Sequence, residues 1–176
     1  HIMKRIWLKI YYSIVIKLPI NHSRLGKLIH SQSIRYIVCR KTFKSIGRGV
    51  NIEKGARFGN GFDVVIGDNS GIGVDCVVPH NIIIGENVMM GPGCHILLRN
   101  HDFSRTDIPM ISQGYSEPKQ TIIEDDVWIG RNVTFTPGRH VAKGSIVAAC
   151  TVLCKDFPAY SIIGGNPSKL IKNRKD

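Results

Sequence analysis

The chain has 176 residues, the size of one ordinary domain. Hydrophobic residues make up 43% of it and charged residues 21%, which is typical of a folded globular protein and excludes a largely disordered chain. No apolar run reaches the roughly 18 residues that a membrane-spanning helix needs. The five cysteines form no C-x-x-C pair, which favours a reducing cytoplasm over a disulfide scaffold.

The net charge of +11 is concentrated in an N-terminal arm, which we define as residues 1–45. The first acidic residue is Glu53, and eleven lysines and arginines precede it, while the other 13 basic residues balance the 13 acidic ones. His1 and Ile2 are typical of a cloning remnant, so we expect the native chain to start at Met3. The apolar stretch that follows is broken by lysines and has no cleavage site, which argues against a signal peptide.

Apolar residues recur with helical spacing along the arm, so we expect one or two helices there, interrupted at Pro19 and Gly26. Two roles are open for residues 3–45. The arm can pack as a cap over the body of the protein, or it can contact an anionic membrane surface as an amphipathic anchor. No nucleic-acid-binding motif accompanies the positive charge, so nucleic acid is not an expected partner.

A repeat of six residues begins at residue 46. One aliphatic or phenylalanine side chain recurs at every sixth position, with a slip of two residues after Val64 and a gap between residues 96 and 123. The repeated positions are Ile46, Ile52, Phe58, Val64, Ile66, Ile72, Val78, Ile84, Met90, Ile96, Ile123, Ile129, Phe135, Val141, Val147 and Leu153. This period fits neither a helix nor the simple alternation of an extended strand. It predicts a chain that turns a corner after each unit, so that three units close one triangular coil.

We therefore expect residues 46–176 to form a stack of about five triangular coils. The repeated aliphatic side chains would point inward and stack on one another to form the core. Small residues would fit the crowded corners, where Gly67, Asn69 and Asn87 would tolerate the turn dihedrals.

Four segments of the chain resemble the hexapeptide-repeat acyltransferases, and within them the colanic-acid, maltose and galactoside O-acetyltransferase type. They are IGENVMMGP at 84–92, NHDF at 100–103, DVWIG at 126–130 and GGNPSK at 164–169. The resemblance covers residues 46 to 172. It implies a mainly β fold, the left-handed parallel β-helix, with acetyl-CoA as co-substrate and a homotrimer whose sites lie between subunits. At the C-terminus, Pro167 predicts a short helix that caps the last coil.

The repeat is interrupted at residues 99–122, and loops of this length in a compact domain are usually functional. His101 is the candidate general base, because a neutral imidazole can take a hydroxyl proton as the oxygen attacks a thioester. The resemblance implies the same role. Further candidates for orienting the imidazole or binding the acceptor are Asn100, Asp102, Tyr115 and Asp75. For Asp102, a role in the loop turn is an equal alternative.

The resemblance implies that acetyl-CoA binds between subunits at the late coils. Trp128 would form a wall near the thioester, and lysines would meet the phosphates as point charges, without the bidentate geometry of arginine. The cofactor-binding residues carried over by motif are Trp128, Arg131, Ala149, Lys155, Lys169 and Lys172. His80, His95 and His140 do not have the spacing of metal ligands, so no metal site is expected.

Together these observations predict an acetyl-CoA-dependent O-acetyltransferase that acts on a sugar or glycan hydroxyl, in bacterial surface polysaccharide biosynthesis. The expected location is the cytoplasm, with contact at the inner face of the membrane as the alternative role of the arm. A sugar N-acetyltransferase on the same fold remains an alternative. So does a non-catalytic β-helix that serves as a scaffold or binding module.

Overall fold

The computed structural model describes residues 2–176, and His1 of the expected cloning remnant lies outside the described residues. Helices α1 (Ile2–Ser13), α2 (Arg24–Leu28) and α3 (Ser31–Thr42) precede fifteen short strands, and single 3₁₀ turns lie at Val15–Lys17 and Met110–Ser112. The strands are β1 (Ser45–Ile46), β2 (Asn51–Ile52), β3 (Val65–Ile66), β4 (Gly71–Ile72), β5 (Ile83–Ile84), β6 (Met89–Met90), β7 (His95–Ile96), β8 (Ile122–Ile123), β9 (Trp128–Ile129), β10 (Thr134–Phe135), β11 (His140–Val141), β12 (Ile146–Val147), β13 (Val152–Leu153), β14 (Ser161–Gly164) and β15 (Lys169–Asn173).

The strands stack in parallel on three faces of a left-handed β-helix, as the sequence predicted. The first face contains β1, β3, β5, β8 and β11. The second contains β2 and β4, followed by β6, β9, β12 and β14, and the third contains β7, β10 and β13. These faces form five full coils, and a sixth turn starts where Phe157 pairs with Val141.

The core is the column of repeated side chains inside the triangle. Ile52, Ile72, Ile129 and Val147 are each at most 1% exposed, and each lies directly above its counterpart in the neighbouring coil. Corner residues are small for the reason expected. At one corner the Ser70 hydroxyl donates to a carbonyl of the next coil at 2.6 Å and accepts a backbone N–H at 2.9 Å.

Glycine after the aliphatic residue serves a different purpose from the one expected. Gly67 does not have a positive φ, whereas Asn69 and Asn87 adopt the left-handed corner conformation as expected. The glycines are needed because adjacent coils touch there. A Cβ atom on Gly130 would lie 2.5 Å from the backbone nitrogen of Ala149, well inside van der Waals contact.

The expected short C-terminal helix is wrong. Residues 169–173 instead form β15, which pairs antiparallel with β14. The physical reason is that β14 is the last strand on the second face and leaves a free edge of N–H and C=O groups. Pairing with β15 satisfies those groups, which a helix packed on the coil would not. Pro167 therefore lies in the connecting turn rather than in a first helical turn.

The arm packs on the first coil. Tyr11 of α1 is fully buried, stacks on Phe58 at 4.6 Å between ring centroids, and donates its hydroxyl to the Ala56 carbonyl at 2.8 Å. The arm has three helices rather than one or two. Pro19 does interrupt them, but Gly26 lies inside α2, where a Cβ atom would meet the Ile20 carbonyl oxygen. None of the helices described here is long and apolar enough to cross a bilayer.

Candidate active site

The loop between β7 and β8 is the only long break in the repeat within residues 46–158. It is held largely by one side chain, Gln113. Its Nε2 donates to the carbonyls of Arg105 and Ile108 at 2.9 and 3.1 Å, while its Oε1 accepts the Arg105 backbone N–H at 3.0 Å. The base of the loop closes where Asn100 and Ser116 exchange backbone and side-chain hydrogen bonds at 3.0–3.1 Å. The loop thus has a defined shape although most of its side chains are exposed.

His101 lies next to this closure and is exposed. It pairs in an antiparallel bridge with Tyr115, and the two rings stack with centroids 4.3 Å apart and an interplanar angle of 29°. The Arg99 guanidinium also lies over the Tyr115 ring, 4.2 Å from its centroid. Tyr115 therefore contacts the imidazole and a fixed positive charge at once. Arg99 was not a sequence candidate, and its position directly before the NHDF segment is the only signal that could have suggested it.

Asp102 and Asp75 make other contacts. The Asp102 carboxylate accepts the Ser104 backbone N–H at 2.9 Å, and the hydrogen bonds from Ser104 hold the pKa of this carboxyl below its usual range. No hydrogen bond joins it to His101 among the described residues. Asp75 is in the left-handed conformation at a corner of the second coil, and it lines a cavity of about 400 Å³ beside the arm, together with Tyr12. The structure therefore does not bring Asp75 together with the loop of the same chain.

Three of the six expected cofactor-binding residues line one cavity. Trp128, Arg131 and Ala149 surround an apolar space of about 520 Å³ at the corner between the second and third faces. The floor of this cavity is the column of small residues in which Gly91 and Gly130 stack on one another. Because these residues have little or no side chain, the corner stays open and leaves backbone groups accessible at its surface.

The three lysines lie at the C-terminal end of the stack. Lys172 pairs with Ile162, which continues the register of Ile146 and Trp128. With about 4.8 Å between neighbouring strands, Lys172 lies three strands and roughly 14 Å from Trp128 along this face. Lys169 belongs to the same strand, β15.

Lys155 lies near the same end of the stack, because the residue before it contacts the residue before Lys169. The Ser168 hydroxyl, adjacent to Lys169, accepts the Cys154 backbone N–H at 3.1 Å and lies 3.3 Å from the Cys154 sulfur. Hydrogen bonds to the sulfur from the side chain and backbone of Ser168 lower the pKa of the Cys154 thiol. Lys155 follows directly, so the contact joins the segments that carry Lys155 and Lys169.

A second cavity, of about 360 Å³, adjoins the cavity at Trp128, because Pro92 lines both of them. It was not expected from the sequence. Its polar lining includes Asn51 and the 6% exposed Glu53. Asn21 of the arm donates to the Asn51 side chain at 2.6 Å and, through its backbone N–H, to Glu53 at 3.2 Å. Asn21 in turn accepts from the fully buried Arg35. No sequence motif joins these distant residues, so only the fold could reveal them.

The His101 loop and the cavity at Trp128 lie at different corners of the triangle. The cavity lies where β6, β9 and β12 pass into the third face, whereas the loop leaves after β7, at the end of the third face. One chain therefore presents the two sets of candidate residues separately. Within residues 2–176, no three histidine, cysteine or carboxylate side chains lie close enough to hold a metal ion.

Comparison with known proteins points to the hexapeptide-repeat transferases. Residues 63–97 match the family described as bacterial transferase hexapeptide (six repeats). This part of the chain therefore carries the repeat of that family. Among curated relatives, the galactoside O-acetyltransferase of Escherichia coli is 25% identical over 158 residues, covering 89% of this chain and 74% of that protein. The resemblance to hexapeptide-repeat transferases and the fold predicted from the repeat are therefore confirmed.

Two solved structures share the fold of this hexapeptide-repeat chain over most of its length. A maltose O-acetyltransferase from Clostridium difficile aligns with a TM-score of 0.76 and 26% identity, covering 97% of this chain and 86% of its own. A hexapeptide-repeat acetyltransferase from Vibrio cholerae, complexed with acetyl-CoA, aligns with a TM-score of 0.72 and 26% identity, covering 89% and 92%.

Several curated relatives are longer than the part matched by this hexapeptide-repeat chain. The match spans 57% of a Saccharomyces cerevisiae relative that is 32% identical, and 53% of a chloramphenicol acetyltransferase from Agrobacterium fabrum that is 38% identical. The chain thus spans about half of the length of these relatives. Their names agree on acetyl transfer, and only the second name gives an acceptor, chloramphenicol.

Proposed function

We propose that this protein is an acetyl-CoA-dependent O-acetyltransferase that acts on a sugar or glycan hydroxyl, with His101 as the general base. The observation that carries the proposal is the cavity at Trp128, Arg131 and Ala149, which lies in a fold shared with an acetyltransferase that was solved with acetyl-CoA. Exposed backbone at a β-helix corner can pair with the amides of a pantetheine arm. The apolar wall suits its methylenes and thioester, since such pockets are mostly apolar with a few polar groups.

The charges near this cavity suit the phosphates of CoA. Arg131 lies in the cavity wall, and Lys155, Lys169 and Lys172 cluster at the end of the same stack. Phosphate groups need cationic or N–H partners, and lysine supplies a point charge for this purpose. We therefore assign the thioester end of acetyl-CoA to Trp128 and its phosphate end to the three lysines.

The proposed reaction is a direct transfer. The imidazole of His101 removes the proton from the acceptor hydroxyl as its oxygen attacks the thioester carbonyl, which forms a tetrahedral oxyanion that a backbone N–H stabilises. The carbon–sulfur bond then breaks, the acetyl ester is released, and the departing CoA thiolate takes the proton from the imidazolium. Tyr115 is placed in contact with the ring and would fix its orientation.

The proposed site is completed in a homotrimer. We call the cavity at Trp128, Arg131 and Ala149 the donor cavity. Within one chain, the His101 loop and the donor cavity lie at different corners of the triangle. A threefold arrangement would bring the loop of one subunit to the cavity of its neighbour, in agreement with the resemblance to trimeric acyltransferases. Exposed Met110 and Ile111 give the loop an apolar tip suited to anchoring on that neighbour.

A sugar acceptor is favoured by the second cavity and by similar proteins that are named for galactoside and maltose. Asn51, Glu53, Asn69 and Ser70 supply carboxylate, amide and hydroxyl groups there, which can hydrogen-bond several hydroxyls of one ligand. This cavity adjoins the donor cavity at Pro92. The role we propose is modification of surface polysaccharide in the bacterial cytoplasm.

The test is release of free CoA thiol from acetyl-CoA in the presence of galactosides, maltose, oligosaccharides and amino sugars. We expect acceptor-dependent release that falls by about 10²–10⁴-fold in His101→Asn, the range typical of a lost general base. The matched control is His95→Asn, another exposed histidine, which should keep the full rate. Turnover of amino sugars alone would favour the N-acetyltransferase alternative, and release that His95→Asn and His101→Asn leave equally unchanged would contradict the proposed base.

A further inference from the structure

The apolar side of helix α1 is only partly covered. The inner face packs against the first coil and α3 through Tyr11 and the half-buried Trp7 and Leu8. On the outer side, Met3 is 64% exposed and Ile6 is 46% exposed. These two residues are three positions apart and therefore share one side of the helix. The arm thus caps the first coil and still presents apolar side chains outward.

Cations border this outer face. Arg5 and Lys9 are exposed, lie one turn apart on α1, and form no ion pair with any carboxylate among the described residues. The next helix repeats the combination, since Leu25 and Leu28 are exposed and alternate with Arg24 and Lys27. No acidic residue occurs before Glu53. The surface is therefore apolar and uniformly positive.

We propose that the outer face of α1 docks on an anionic lipid bilayer, with Met3 and Ile6 inserted among the headgroups and Arg5 and Lys9 on the lipid phosphates. An amphipathic helix with apolar residues on one side and basic residues beside them binds membranes in this way. Charge decides between the candidate partners. A second copy of this chain would bring an equally positive face and be repelled, whereas an anionic bilayer satisfies both the apolar and the cationic side chains.

The proposal rests on the arm alone and is independent of the proposed reaction. The experiment is co-sedimentation of the full chain with phosphatidylcholine vesicles, with and without about 30% phosphatidylglycerol, an anionic content sufficient for electrostatic binding. We expect sedimentation with the anionic vesicles only, and a marked loss of binding as salt is raised to about 0.5 M, because screening shortens the reach of the charges.

Two pairs of variants test which residues are used. Met3→Gln/Ile6→Gln should weaken binding about tenfold, since both apolar side chains would no longer enter the bilayer. The control Ile34→Gln/Ile37→Gln makes the same kind of change at two exposed apolar residues of α3, and it should bind vesicles as the wild type does. Arg5→Gln/Lys9→Gln should also weaken binding about tenfold or more. Its control is Lys143→Gln/Lys175→Gln, at exposed positions outside the arm.

All substituted side chains are exposed, so the variants should fold, which thermal unfolding and circular dichroism would verify. Wild-type protein that stays in the supernatant with anionic vesicles would overturn the proposal. So would sedimentation that the α1 variants and their controls affect equally, because that would indicate general adsorption of a basic protein. A change in oligomer mass caused by Met3→Gln/Ile6→Gln alone would assign the face to contact between copies instead.

Discussion

The stacked coils and the loop between β7 and β8 are held together in different ways. In the coils, each short strand pairs with a strand of a neighbouring coil, and nearly all of the repeated side chains are buried in a continuous column. In the loop, Gln113 and the pairing of Asn100 with Ser116 set the shape, and most side chains face outward. The comparison teaches that the coils supply a rigid frame whose sequence is dictated by packing. The loop carries side chains that are free to meet a substrate.

The largest expected effect contrasts two phenylalanines. Phe135 is fully buried in the third-face column, whereas Phe103 in the loop is 67% exposed. We expect Phe135→Ala to lower the free energy of unfolding by about 3–5 kcal/mol, because it leaves a cavity in the core. Phe103→Ala should change it by less than about 0.5 kcal/mol. Denaturant unfolding of both variants measures the difference, and similar losses would mean that the loop is part of the stable core.

The next largest effect is expected at the corner between the second and third faces, where the donor cavity lies. Ala149 is exposed and lines the donor cavity, so Ala149→Trp should fill the space without disturbing the core. We expect the affinity for acetyl-CoA to fall at least tenfold, about 1.4 kcal/mol, as measured by calorimetry. Ala149→Ser keeps the corner small and should retain binding. Unchanged affinity in the tryptophan variant would show that acetyl-CoA binds elsewhere.

The third prediction concerns the loop. Removing the ring that stacks on His101, in Tyr115→Ala, should lower kcat about tenfold, or 1.4 kcal/mol of transition-state stabilisation, because the imidazole loses its orientation. Tyr115→Phe keeps the stacked ring and should restore the rate. Steady-state kinetics on an identified acceptor tests this. An equal loss in the phenylalanine variant would point to the hydroxyl group of Tyr115 instead of its ring.

The smallest prediction returns to the coils and concerns pH. Glu124 accepts the Lys143 backbone N–H and contacts the His140 ring, both at 2.7 Å, and these hydrogen bonds hold its pKa below its usual range. A lowered carboxyl pKa stabilises the fold above the ordinary value near 4.3, and the contribution is lost as the pH falls through the folded value. Because the Glu124 side chain is 41% exposed, we expect Glu124→Gln to cost at most about 1 kcal/mol at pH 7.

The cost of Glu124→Gln should shrink as the pH falls from 7, and it should disappear once the carboxyl is protonated in the folded wild type as well. Unfolding of the wild type and the variant across this pH range measures it. A cost that stays constant with pH would mean that the charge of Glu124 does not contribute.

The sequence predicts the coils well because their constraint is local and repeated. Each six-residue unit must place one apolar side chain inside and one small residue at the corner, so Ile129 and Val133 could be assigned from spacing alone. The terminal hairpin could not be predicted in this way. Whether residues 169–173 form a helix or a strand depends on the free edge of β14, which is a tertiary feature.

Residues of the candidate site could be predicted only where they belong to a recognisable sequence motif. The NHDF and DVWIG segments indicated His101 and Trp128, and the structure places them in a shaped loop and in a cavity wall. Glu53 and Asn21 lie 32 residues apart and become partners only when the arm folds onto the first coil. No local pattern records such a contact, so the second cavity had to come from the structure.

The central claim is that the corner of Trp128 and the lysine cluster together bind acetyl-CoA. Calorimetric titration of the purified protein with acetyl-CoA tests it most directly, with His101→Ala and Lys169→Ala/Lys172→Ala titrated in parallel. The account predicts about one site per chain, affinity that His101→Ala retains, and about tenfold weaker binding when the two lysines that we assign to the phosphates are removed. Absence of binding by the folded wild-type protein would contradict the acetyltransferase proposal and favour a non-catalytic β-helix.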